Sequence, residues 1–165
     1  MFSDGDMLQL QQEQYHHDRR NHSDILCLHK NDRLKHYGLH YCKYVGRLAR
    51  GLTEPKAYDR TLTDTALVCL SAANTLHQHL PAPNVAVKPA TQIDPLRTFA
   101  DAAGRFADAC EKIDHAEDCL PIMRSANIDI MTWVAQISEE RGLNLHEAVI
   151  QRRSELRERQ FYITE

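Results

Sequence analysis

His36 and His40 stand four residues apart, Asp32 precedes them by four, and Lys43 and Arg47 follow at steps of three and four. On a helix these steps put all five side chains along one stripe, because residues three and four apart are surface neighbours. Imidazoles near neutral pH move protons or ligate metals, while an ammonium beside a guanidinium neutralises phosphate oxygens. His36 and His40 are therefore candidate catalytic groups, and Lys43 and Arg47 are candidate phosphate ligands. The same stripe also suits a solvated helix face, and a His-x-x-x-His pair with no acid beside it is a weak zinc signal.

Three carboxylates raise a second possibility. Asp64, Ser71 and Thr75 are the polar strip of a segment that is otherwise apolar nearly all round. A carboxylate held against such a helix must be hydrogen-bonded, paired or metal-bound, unless it stays wet near the helix start, where the dipole favours it. Asp129, beside Ile130 and Trp133, sits at a matching place in a later segment and has the same two readings. Asp101, Asp108 and Glu111 each stand four residues before Arg105, Lys112 and His115. That acid-before-base spacing is how a solvated helix stabilises itself.

The elements that must position these residues are all helical. The pattern predicts an all-α, five- to six-helix bundle in a single domain over 1–165, with an N-terminal half (1–80), a Pro-rich connector (81–95) and a C-terminal half (96–165). A polar first helix covers 4–20, and 21–30 reads as a loop. The second helix runs over 31–51 from an Asn31 cap and carries an apolar arc of Tyr37, Tyr41, Tyr44, Val45 and Leu48. The third covers 59–80 and is stopped by Pro81. The fourth opens sharply at Asp94 as cap and Pro95 at the first helical position. The fifth runs over 122–141 to Gly142, and the sixth opens at Asn144 and reaches about residue 161. Gly46-Arg47 with Asp64, and Gly104-Arg105 with Asp129, point to a possible internal duplication of a helix pair.

Composition narrows the partners. The chain has 20 Lys and Arg against 23 Asp and Glu, a net charge of −3, which argues against a dedicated nucleic-acid binder. Its five cysteines form no C-x-x-C pair and suit a reducing compartment. The polar start resembles no signal peptide, and the longest apolar run, at 66–70, is far too short to span a bilayer. The expected location is cytoplasmic, with no membrane partner.

Residues 101–160 resemble the MazG-like all-α nucleotide pyrophosphohydrolases. The segment Asp101-Ala-Ala-Gly104-Arg105-Phe-Ala is similar to that superfamily's first acidic helix. Asp129 falls at the second motif's Asp, and Gly142-Leu-Asn-Leu-His-Glu-Ala148, followed by Arg152, resembles its closing helix. Residues 43–76 look like a shorter copy of the first two helices. The resemblance implies hydrolysis of a (deoxy)nucleoside triphosphate to monophosphate and pyrophosphate with Mg²⁺ (or Mn²⁺) held by Asp64, Asp101 and Asp129. It also implies phosphate contacts from Lys43, Arg47 and Arg105, and a dimer or tetramer. Tyr37, Tyr41 and Tyr44 are expected to support that self-association. The chain departs from the pattern where Arg47 and Arg105 replace a metal-binding Glu, and where Thr61 and Ala126 replace another. The alternative is a non-catalytic helical interaction or scaffold protein that kept the fold and lost the metal site.

Overall fold

The computed structural model describes residues 2–85 and 94–158. Their regular structure is entirely helical, as expected. The helices are α1 (Asp4–Asn21), α2 (Ser23–Leu26), α3 (Lys30–Arg50), α4 (Tyr58–Thr75), α5 (Pro95–Asp114), α6 (Leu120–Glu140) and α7 (Leu145–Arg157), with a 3-10 turn at Gly51–Thr53. Residues 86–93 of the expected connector, and the expected end of the last helix near 161, lie outside the described residues.

Local chemistry sets most of the helix starts. The Asp94 carboxylate accepts from the Leu96 N–H at 2.9 Å, with Pro95 in the first turn of α5. Asn144 Oδ1 accepts from the Glu147 N–H at 3.4 Å and opens α7. Three expectations are corrected. The cap of α3 is His29, whose Nδ1 accepts from the Asn31 N–H at 3.3 Å, so Asn31 is inside the helix. α4 ends at Thr75, well before Pro81: His77 takes a positive φ of 49°, and the Gln78 N–H closes back on the Ala73 carbonyl at 2.9 Å. The segment between α1 and α3 also contains the short α2.

Helices α3 to α6 form a ring in which α3 packs on α4 and α5, and α6 packs on both of those as well. The first helices of the two proposed pairs therefore touch each other, and so do the second helices. Side-chain links run in opposite directions along each neighbouring pair, as Tyr37 with Thr75 and Arg47 with Asp64 show for α3 and α4. Gly38 permits the α3–α5 approach, since a Cβ there would lie 3.0 Å from Cys110 Sγ. Phe99, Phe106, Leu62, Ile130 and Val134 are fully buried in this core. Each such side chain contributes roughly 1.5–3 kcal/mol by leaving water.

The tyrosine arc faces this core. Tyr41 is fully buried, stacks edge-on with Phe106 and donates to Asn127 Oδ1 at 2.7 Å. Tyr37 and Tyr44 are buried too. These rings are covered within one chain, so they offer no free face for self-association. Helices α1 and α7 lie against α4, and this asymmetry creates the site. No helix among the described residues is long and apolar enough to cross a membrane.

Candidate anion-binding pocket

Between α1, α3, α4 and α7 lies a cavity of about 420 Å³. The stripe on α3 supplies one wall with His36, His40, Lys43 and Arg47, while Asp32 does not reach it. Lys56 enters from the turn before α4, and Arg152 from the middle of α7. Tyr37, Tyr44, Leu67 and Val68 give it an apolar side.

Asp64 is the hub of the basic end. Arg152 Nε donates to Oδ1 at 2.8 Å, Arg60 Nε donates to the same oxygen at 3.2 Å, and Arg47 Nη1 donates to Oδ2 at 3.4 Å. The Asp64, Arg47 and Arg152 side chains are only 14%, 12% and 10% exposed, so water screens their charges weakly. Arg60 and Arg152 also donate to Glu155 Oε2, at 2.9 and 3.2 Å. One carboxylate thus fixes three guanidinium groups from three helices. Two of them, Arg47 and Arg152, line the cavity.

The histidines form a hydrogen-bonded chain. Lys43 Nζ and Tyr44 Oη lie 3.0 and 3.1 Å from His40 Nδ1, and His40 Nε2 lies 3.1 Å from His36 Nε2. An ammonium can only donate, so His40 Nδ1 is an acceptor and its proton sits on Nε2. That proton points at His36 Nε2, which must accept. The two Nε2 atoms therefore do not offer paired lone pairs to one metal while Lys43 is charged. Burial, reinforced by Lys43, pulls His40 down to about 3, and burial lowers His36 as well. Burial followed by Arg47 lowers Lys43. His40 is thus a neutral imidazole at physiological pH.

The opposite end is rich in acceptors. Asp18 is buried, and its carboxylate accepts from Ser71 Oγ at 2.6 Å and from Gln14 Nε2 at 2.8 Å. Burial pushes its pKa up, against those two hydrogen bonds. Gln14 Oε1 is buried with no hydrogen-bond partner.

The remaining predicted residues lie elsewhere. Arg105, on α5, donates through Nε to Asp101 at 2.9 Å and through Nη2 to Asp129 on α6 at 2.8 Å. None of the three lines the cavity, and Asp101 and Asp129 are 69% and 50% exposed. The structure therefore does not bring Asp64 together with Asp101 and Asp129, nor Arg105 together with Lys43 and Arg47. Among the described residues no three His, Cys, Asp or Glu side chains form a group suited to a metal ion. The oxygens of Asp64 are taken up by three cations, a setting that repels Mg²⁺. Among the described residues, Asp64, Asp101 and Asp129 do not fit a shared metal.

Several lining residues carry no local signal. Arg152 stands out in the sequence only as the arginine after the closing-helix motif, and Asp18, Gln14 and Lys56 are polar residues in polar stretches. Compared with protein-family models, curated proteins and solved structures, the chain gives no match.

Proposed function

We propose that this chain is a nucleotide-binding protein whose phosphates enter the basic end of the cavity between α3, α4 and α7. The convergence of Lys43, Arg47, Lys56 and Arg152 on that end carries the reading. Guanidinium groups held by Asp64 are pre-organised, so little rotamer entropy is lost when an anion arrives. The cavity size is within the range of about 300–1,000 Å³ usual for small-molecule sites. Its aromatic and aliphatic side is chemistry that accepts a base and sugar, while Lys43, Lys56 and the N–H groups of Arg47 and Arg152 that Asp64 and Glu155 do not take remain for the phosphates.

Hydrolysis of a bound (deoxy)nucleoside triphosphate to monophosphate and pyrophosphate is the finer form of this reading, supported by the family resemblance. In that form Lys43, held at His40 Nδ1, would stand with Arg47 and Arg152 against the phosphates and neutralise the charge that develops on the leaving pyrophosphate. No step is assigned to a protein-held metal.

Calorimetric titration with inorganic pyrophosphate and with a set of (deoxy)nucleotides tests binding, and pyrophosphate release in Mg²⁺ or Mn²⁺ buffer tests turnover. Binding weakened about tenfold or more in Arg152→Met is the expected result. If no phosphate compound binds, the reading is wrong, and the non-catalytic interaction protein takes its place.

A further inference from the structure

The cavity has two chemically opposite ends, and the second one is unexplained by phosphate binding. Asp18 on α1 is held by Ser71 of α4 and by Gln14 one turn before it on α1. Each of its carboxylate oxygens accepts one protein hydrogen bond and keeps a second acceptor position. The neighbouring Gln14 adds the buried, unpartnered Oε1. Asp18 and Gln14 both line this end, and the Asp18 carboxylate is its acceptor group, in a buried setting where an unmet acceptor is costly.

The spacing between the ends is fixed by one helix. Asp64 and Ser71 are seven residues apart on α4 and share a face, so they are separated by roughly 10 Å along its axis. That is about the reach of a nucleotide from its phosphates to the far edge of its base. Leu67 and Val68 lie between them, with Tyr37 and Tyr44 opposite on α3. A flat, partly apolar group fits between an anion site and a paired acceptor.

We infer that the pocket selects guanine nucleotides, with the Asp18 carboxylate receiving the guanine N1–H and N2–H while the basic end holds the phosphates. Guanine is the common base that presents two adjacent N–H donors on one edge, which a carboxylate can take in a bidentate contact. Adenine offers one amino donor beside a ring-nitrogen acceptor, cytosine one amino donor beside two acceptors, and uracil and thymine flank their single N–H with carbonyls. This specificity rests on the nucleotide-binding reading above.

The substitution Asp18→Asn separates base selection from loss of fold. Ser71 Oγ lies 3.1 Å from the Leu67 carbonyl and can donate to it while accepting from the new amide. The carboxamide would then keep one acceptor and gain one donor, which matches the N1–H and C2 carbonyl of xanthine. Titrations of the whole chain with pyrophosphate, GDP, IDP, ADP and XDP test this. In the unchanged protein GDP is expected to bind at least about tenfold tighter than IDP, which lacks the N2 amino group, and tighter still than ADP. In D18N the preference is expected to move from GDP to XDP, with pyrophosphate binding unchanged. Equal affinities for GDP and IDP in the unchanged protein, or a D18N variant that binds pyrophosphate but still prefers GDP, would overturn guanine selection and leave the phosphate site standing. Failure of pyrophosphate and every nucleotide to bind the unchanged protein would overturn the phosphate site, and guanine selection with it.

Discussion

Two arginine–aspartate links cross the bundle in corresponding places, Arg47 to Asp64 between α3 and α4, and Arg105 to Asp129 between α5 and α6. Their sequence surroundings are alike, since each arginine follows a glycine and each aspartate lies on the next long helix, Asp64 early in α4 and Asp129 midway along α6. Their settings are not. The first pair is 12% and 14% exposed and is joined by Arg60 and Arg152, while the second is 38% and 50% exposed and is joined only by Asp101. The cause is the placement of α1 and α7, which cover α4. Burial, not the motif, turns the first link into a pocket wall.

The largest effect expected from this contrast is on stability. Asp64→Ala leaves Arg47, Arg60 and Arg152 crowded without their shared carboxylate, and should cost about 3 kcal/mol, near the lower end for breaking a buried pair. Asp129→Ala removes an exposed partner and should cost less than about 1 kcal/mol. Urea unfolding of the two variants measures both. Equal losses would mean that the two links do not differ as their exposure indicates.

Ligand binding sharpens the same contrast. Arg152→Met removes a cavity cation and should weaken pyrophosphate binding about tenfold or more, by the scale of a charge-assisted hydrogen bond. Arg105→Met should leave it unchanged, because Arg105 is bound to Asp101 and Asp129 away from the cavity. A weakened Arg105 variant with an intact fold would place the phosphate site at the wrong pair.

The histidine-rich face should make the N-terminal half acid-sensitive. Burial lowers His40 to about 3 and His17 to about 4, below the 6.5 of an unfolded histidine. From pH 6.5 downward the unfolded chain takes up protons that the folded chain refuses, so the stability present above 6.5 is progressively lost. The raised Asp18 acts with the opposite sign, adding stability as pH falls through its folded pKa toward the 3.8 of the unfolded chain. A loss of roughly 1–3 kcal/mol between about pH 7 and 4.5 is expected after allowing for partial exposure, and His40→Gln should flatten it. A pH-independent unfolding midpoint in that interval would show that these imidazoles protonate freely in the fold.

How much of this was legible depended on sequence distance. Asp94-Pro95 and Asn144 mark helix starts through their own nearest neighbours, and the apolar stripes of α3 and α5 repeat at the helical period. The stripe of His36, His40, Lys43 and Arg47 was visible for the same reason. Arg152 reaches Asp64 from 88 residues away, and Asp18 meets Ser71 across 53. Those meetings follow from packing α1 and α7 on α4, which no local pattern encodes. The tyrosines show the limit from the other side: their apolar arc was clear, but not that Phe106 and Asn127 would cover Tyr41. Asp64, Asp101 and Asp129 looked equivalent because carboxylates differ by setting, and setting is a tertiary property.

The smallest effect belongs to the exposed cluster and tests whether it does anything beyond local pairing. Arg105 holds Asp101 one turn back on its own helix and Asp129 on the next, so it staples α5 to α6 at the surface. Exposed ion pairs of this kind contribute about 0.2–1 kcal/mol each, and charges more than about 8 Å apart are largely screened at physiological salt. Arg105→Leu should therefore shift the unfolding free energy by under about 1 kcal/mol at low salt and by little at about 1 M NaCl, where the Debye length falls to about 3 Å. The Asp64 cluster should keep most of its contribution in the same salt, because Asp64, Arg47 and Arg152 are only 14%, 12% and 10% exposed. A salt response as large for Asp64→Ala as for Arg105→Leu would show that the covered link is as wet as the open one, and the contrast between them would fail.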